Sequence, residues 1–104
     1  MTDKDMRQRI KQNVNEVDPQ AEVWLYGSRA RGTAHEGSDW DVLVLTQQPS
    51  LSTAAESRFV DHMCDLIVET GEVVQLFAYG QEDWHRHHSI TPFYKNVQRE
   101  AIRL

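Results

Sequence analysis

Met6, Ile10 and Val14 recur every four positions with charged side chains between them, the spacing of one helix face over residues 2–16. Thr2 or Asp3 can cap its start, and Asp18-Pro19 breaks the pattern. Glu22 to Tyr26 (EVWLY) has the branched and aromatic character of a short strand. Gly27 to Gly32 (GSRARG) follows directly as one helical turn, with Ser28 as its N-cap and Gly32 as its end. Thr33 to Ser38 carries turn residues. Asp39 to Leu45 (DWDVLVL) is a second strand, and its apolar second half predicts burial on both faces. After a loop over Gln47 to Ser50, the positions Phe59, Met63 and Ile67, with Val60 and Cys64 beside them, predict an amphipathic helix from Leu51 to Thr70. Met63 and Cys64 then read as its core side, and Gly71 ends it. Glu72 to Tyr79 (EVVQLFAY) is a third strand with one polar interruption, Gln75. A short charged segment surrounds Trp84, and Thr91-Pro92 opens a last helix containing Phe93, Tyr94 and Val97. The order predicts an α/β (α+β) fold, a small mixed sheet covered by helices.

At 104 residues the chain fits a single domain over 1–104. Its net charge of −5 disfavours general nucleic-acid binding by phosphate neutralisation. No stretch approaches the ~20 apolar residues of a membrane-spanning helix. Cys64 is the only cysteine, so neither an internal disulfide nor a cysteine zinc cluster can form. The charged N-terminus lacks the apolar centre of a signal peptide, and the expected compartment is the cytoplasm.

The chemistry concentrates in Gly27 to Asp41, GSRARGTAHEGSDWD. Gly27 lets the backbone approach a phosphate, Ser28 offers a hydroxyl, and the amides of the following turn point the same way. Arg29 and Arg31 add positive charge, although alternate positions on one turn cannot both face a ligand. Asp39 and Asp41, two apart in a strand, project from one face. Such a pair suits magnesium, which takes few protein oxygens and completes its shell with water and substrate phosphates. An anion cradle beside a carboxylate pair is what metal-assisted attack on a nucleotide α-phosphate requires. Trp40, between the two aspartates, points the opposite way and reads as core. His85, His87 and His88 read as a solvated turn rather than a zinc site, with no acidic partner at ligand spacing.

These fifteen residues resemble the signature of the DNA polymerase β-like nucleotidyltransferases, in which Gly-Ser is followed by ten residues and then Asp-x-Asp. Arg29 to Ser38 supplies those ten. The small size resembles the minimal nucleotidyltransferases (MNT), which pair with HEPN-domain proteins as toxin–antitoxin modules. ITPFYKNVQREAIRL resembles the family's closing helix and strand, so the similarity extends over most of Val23 to Leu104. The resemblance implies the nucleotidyltransferase fold, a nucleoside triphosphate such as ATP held by Gly27 and Ser28 with Arg31 nearby, and magnesium on Asp39 and Asp41. It also implies transfer of AMP to an acceptor hydroxyl, with a tyrosine of a HEPN-type partner as acceptor and an antitoxin role for this chain.

One departure stands out. The family's third carboxylate, from the neighbouring strand, falls here on Gln75, which has no charge and cannot accept a proton. Either the strand register is shifted, Glu72, Asp61 or Asp65 substitutes, or transfer is weak. Two other functions therefore stay open. One is a contact-only module with a relict nucleotide site. The other is the catalytic domain of a small-molecule nucleotidyltransferase, disfavoured because such enzymes carry an extra helical domain for the acceptor. Gln75 shares strand parity with Val73, Phe77 and Tyr79, so its amide should find the aspartates as polar neighbours. Trp84, Phe93 and Tyr94 are candidate partner contacts, with aromatic core as the plainer reading.

Overall fold

The computed structural model describes residues 1–104. Helix α1 spans Asp3–Val17 and opens on a reciprocal cap: Thr2 Oγ1 accepts from the Asp5 amide, and Asp5 accepts from the Thr2 amide, both at 3.1 Å. Strand β1 is Glu22–Tyr26, as its composition predicts. The turn α2, Ser28–Arg31, is capped by Gly27 and not by Ser28, which is its first helical residue. Gly27 holds a φ of 73°, so the chain enters the turn through a conformation that favours glycine. Strand β2 is Trp40–Thr46, one residue later than the pattern indicates at both ends. Helix α3 is Thr53–Thr70, with Ser52 accepting from the Ala55 amide at its start and Gly71 left-handed at its end. Strand β3 is Val74–Gly80, followed at once by α4, Gln81–His87. The charged segment around Trp84 is thus helical. Its single apolar residue gave no period to read, and one buried tryptophan is enough to anchor two turns. Helix α5, Pro92–Glu100, starts on Thr91 as predicted, and Ile102–Arg103 forms a short closing strand, β4.

The four strands lie in the order β3-β2-β1-β4. β1 is antiparallel to both neighbours, while β2 and β3 are parallel and connected through α3. Helices α1 and α3 cover one face, where Met6, Ile10, Phe59 and Met63 pack on Val23, Leu25, Val42 and Val44. Helices α4 and α5 cover the other, where Trp84 and Val97 pack on Leu43 and Leu45. Central β2 is therefore buried on both sides, as its apolar run requires. Each fully buried side chain there is worth roughly 1.5–3 kcal/mol.

Trp40 is core, on the α1–α3 face. Trp84 is fully buried among Tyr79, Phe93 and Tyr94, so these aromatics form core and not an open contact surface. Cys64 departs from expectation: it is exposed, because one residue beyond Met63 the helix has turned about 100° away from the sheet. No helix is long and apolar enough to cross a membrane.

Candidate functional site

At the end of β1 the backbone turns at Gly27 and passes directly against Asp41. A methyl group on Gly27 would collide with Asp41 Oδ2, so any side chain there forces the carboxylate to move. The Gly27 carbonyl accepts from the amides of Ala30 and Arg31, both at 3.0 Å. That closes the turn and leaves the first two helical amides, of Ser28 and Arg29, outside its own bonding. Gly27, Ser28 and Asp41 thus meet at one corner of the sheet.

The register Tyr26↔Asp41↔Gln75 crosses three strands at this corner. Asp39 lies just ahead of β2, and Gln75 Nε2 donates to its Oδ2 at 2.9 Å. The glutamine predicted for the third-carboxylate position is therefore beside the aspartate pair, with its amide satisfied by carboxylate. Burial, then the neighbouring Asp39 charge, pushes the Asp41 carboxyl above its ordinary value of 3.8; Arg31 opposes this and Glu100 adds to it. The Tyr26 hydroxyl is also pushed up, chiefly by burial and next by the charge on Asp41. None of the acids considered as substitutes is here. Glu72 accepts from the Trp40 indole N–H at 3.2 Å, on the α1–α3 side. Asp61 and Asp65 belong to α3, where Asp65 lies 3.7 Å from His62.

The two arginines of the turn part company. Arg29 goes inward: its guanidinium lies 4.4 Å over the Trp40 ring, and its side chain is only 9% exposed. Arg31 stays at the surface and pairs with Glu100 at 2.9 Å. Glu100 was not legible as a site neighbour. It ends α5, two residues before Ile102, which pairs with Leu25 on β1 and so brings the end of α5 to this corner.

Two hard oxygen donors on one face, with the Asp39 charge raising the proton affinity of Asp41, form a site that a divalent cation would stabilise. Nowhere in the chain are three histidine, cysteine, aspartate or glutamate side chains arranged to hold a metal ion. The donor set accordingly fits magnesium, which needs few protein ligands, better than zinc or calcium in a full protein cage. His87 and His88 do have an acidic partner, Asp83, at 2.7 and 3.4 Å. It sits at helical spacing from His87, a contact that becomes visible only once α4 is known to be a helix. His85 instead meets the Tyr94 hydroxyl at 2.8 Å. A cavity of about 200 Å³ between the sheet and α4–α5 lies at the far end, lined by Trp24, Leu45 and Trp84 and by none of the site residues.

The profile of the nucleotidyltransferase domain matches residues 5–90. A protein assigned as a minimal nucleotidyltransferase is similar over 100% of this chain and 97% of its own, at 25% identity and a TM-score of 0.65. A toxin–antitoxin structure with AMP-PNP is similar over 92% of this chain and 69% of that one, at 20% identity and a TM-score of 0.64. A complex of tri-AMPylated Shewanella oneidensis HEPN toxin with MNT antitoxin is similar over 92% and 66%, at 16% identity and a TM-score of 0.59. Among curated protein sequences none matches.

Proposed function

This chain belongs to the nucleotidyltransferase domain family, and from that premise we propose that it is a magnesium-dependent transferase of AMP from ATP to an acceptor hydroxyl. The observation that supports this reading is the close approach of Gly27 to the Asp41 carboxylate, which brings the turn we read as an anion cradle beside the carboxylates we read as a cation site. Gly27 and Ser28 hold the triphosphate, with Arg31 beside it. Asp39 and Asp41 hold magnesium, which when bound screens the triphosphate and stabilises charge on the entering and leaving oxygens. The acceptor oxygen forms a bond to the α-phosphorus, the bond to the β-phosphate bridging oxygen breaks, and pyrophosphate departs. The acceptor proton passes to solvent, since Gln75 cannot take it.

The acceptor we assign is a tyrosine on a HEPN-type protein partner, which gives this chain an antitoxin role. The structural neighbours include a HEPN toxin that carries AMP in complex with its MNT antitoxin, and that supports the assignment. The domain spans residues 1–104 and works in the cytoplasm, where ATP is available. The Gln75–Asp39 hydrogen bond favours a second reading, a weak or inactive nucleotide module that neutralises its partner by contact.

The deciding experiment incubates the chain with ATP labelled at the α-phosphate, magnesium and a HEPN-type protein. Label on the partner, lost in Asp39→Asn with Asp41→Asn, supports transfer. A stable complex without label supports the contact module.

A further inference from the structure

We infer that Arg29 is a positioning residue that sets Asp39 against the anion turn from beneath the sheet. The inference rests on the reading of Asp39 as a cation ligand. Arg29 Nη2 donates to the Ser38 carbonyl at 2.9 Å, and its guanidinium carbon lies 4.4 Å from the centre of the Trp40 ring. Ser38 and Trp40 are the residues on either side of Asp39, so one side chain grips both of its neighbours. The same guanidinium faces Glu72 at 3.9 Å and Asp3 at 3.6 Å. Glu72 in turn accepts from the Trp40 indole N–H, and it lies three residues before Gln75, whose amide reaches Asp39. Arg29 itself belongs to the turn that Gly27 opens. A single group therefore joins the turn, the entry to β2 and the entry to β3, the three segments that must be in register for the site to exist.

Stability alone does not account for an arginine here. Its Nε is buried with no hydrogen-bond partner, and a buried charge incompletely paired is costly. An apolar side chain of similar length would fill the space without that cost. What methionine lacks is a planar donor that can bond a carbonyl and stack on an indole together. Lysine supplies the charge but not the plane.

The test compares wild type with Arg29→Met and Arg29→Lys at a temperature where unfolding curves show each fully folded. Magnesium binding is measured by calorimetry, alone and with AMP-PNP. The Gln75 side-chain amide is followed by NMR in metal-free protein. Arg29→Met should retain most of its stability, lose about tenfold or more in magnesium affinity, as outer-sphere partners of metal ligands typically do, and shift the Gln75 amide resonance. Arg29→Lys should recover part of each loss. A folded Arg29→Met with wild-type magnesium affinity and an unmoved Gln75 amide would overturn the inference. If Arg29→Met does not fold, Arg29→Lys decides: reduced affinity upholds it and unchanged affinity overturns it. If wild type binds no magnesium, the proposed activity fails, while the amide shift still decides whether Arg29 positions Asp39.

Discussion

Gln75 Nε2 donates to Asp39 Oδ2 at 2.9 Å, so the neutral residue on β3 is spent holding one of the two carboxylates it neighbours. A carboxylate at position 75 would instead repel both. The amide relieves charge crowding between the carboxylates, and under the proposed transfer it offers no base.

Replacing Gln75 by aspartate should therefore have opposite effects in the two states. Gln75→Asp is expected to lower the melting temperature without magnesium, since a third carboxylate joins two others. With magnesium it should raise AMP transfer, by up to the roughly 10²–10⁴-fold that general-base assistance supplies. Thermal melts with and without magnesium, paired with single-turnover label transfer, check both halves. A folded variant with no gain in rate shows that this position does not limit catalysis.

Asp39→Asn with Asp41→Asn should abolish magnesium-dependent ATP binding and leave the fold intact. Neither side chain contributes to the buried clusters on either face. Calorimetric titration with AMP-PNP in magnesium reads the loss, and circular dichroism reads the fold. Wild-type affinity in the double variant would remove both residues from the site.

The raised Asp41 carboxyl fixes the sign of a pH effect. Its folded pKa lies above the unfolded value, so the native state binds the proton more tightly. Stability then falls as pH rises from the ordinary value near 3.8 through the raised one, and the cost is complete above it. In metal-free protein Asp41→Asn should be more stable than wild type at neutral pH, and the advantage should vanish below the ordinary carboxylate range. Urea unfolding at several pH values checks the crossover. Magnesium should reverse the order at neutral pH, because it binds only the wild-type carboxylate pair.

Gly27→Ala is the sharpest steric test. The added methyl meets Asp41 Oδ2, and the φ of 73° with ψ of −159° is strained for any residue with a Cβ, by roughly 1–3 kcal/mol before the clash is counted. The Asp41 carboxylate must move. ATP affinity should fall together with stability, whereas Gly37→Ala, also at positive φ but in open space, should lose stability alone.

Arg31 is restrained by Glu100, so Glu100→Gln should free it and tighten triphosphate binding. The pair is partly exposed and is worth no more than about 1 kcal/mol, which limits the gain to less than about fivefold. AMP-PNP titration at low and high salt measures it, with the gain shrinking as salt screens the pair.

Much of this protein is written locally. The four-residue recurrence of Met6, Ile10 and Val14, the strand character of EVWLY and DWDVLVL, and the stop at Gly71 each depend on side chains close in sequence, so the sequence alone determined α1, β1, β2 and the end of α3. The Gly27–Asp41 motif is likewise legible, because its two halves flank one hairpin and their spacing follows from it. The helical state of Gln81–His87 was not, since its only apolar residue gains a partner solely from the far side of the sheet. Nor does a one-turn helix reveal that Arg29 turns inward to Trp40 while Arg31 turns outward to Glu100. That division depends on what stands on each side of the turn, and those neighbours come from α1, β3 and α5. Gln75 shows the boundary between the two kinds of information. Strand parity gave its face, but its hydrogen bond to Asp39 needed the parallel β2–β3 register, which an eighteen-residue crossover helix sets and no local pattern encodes.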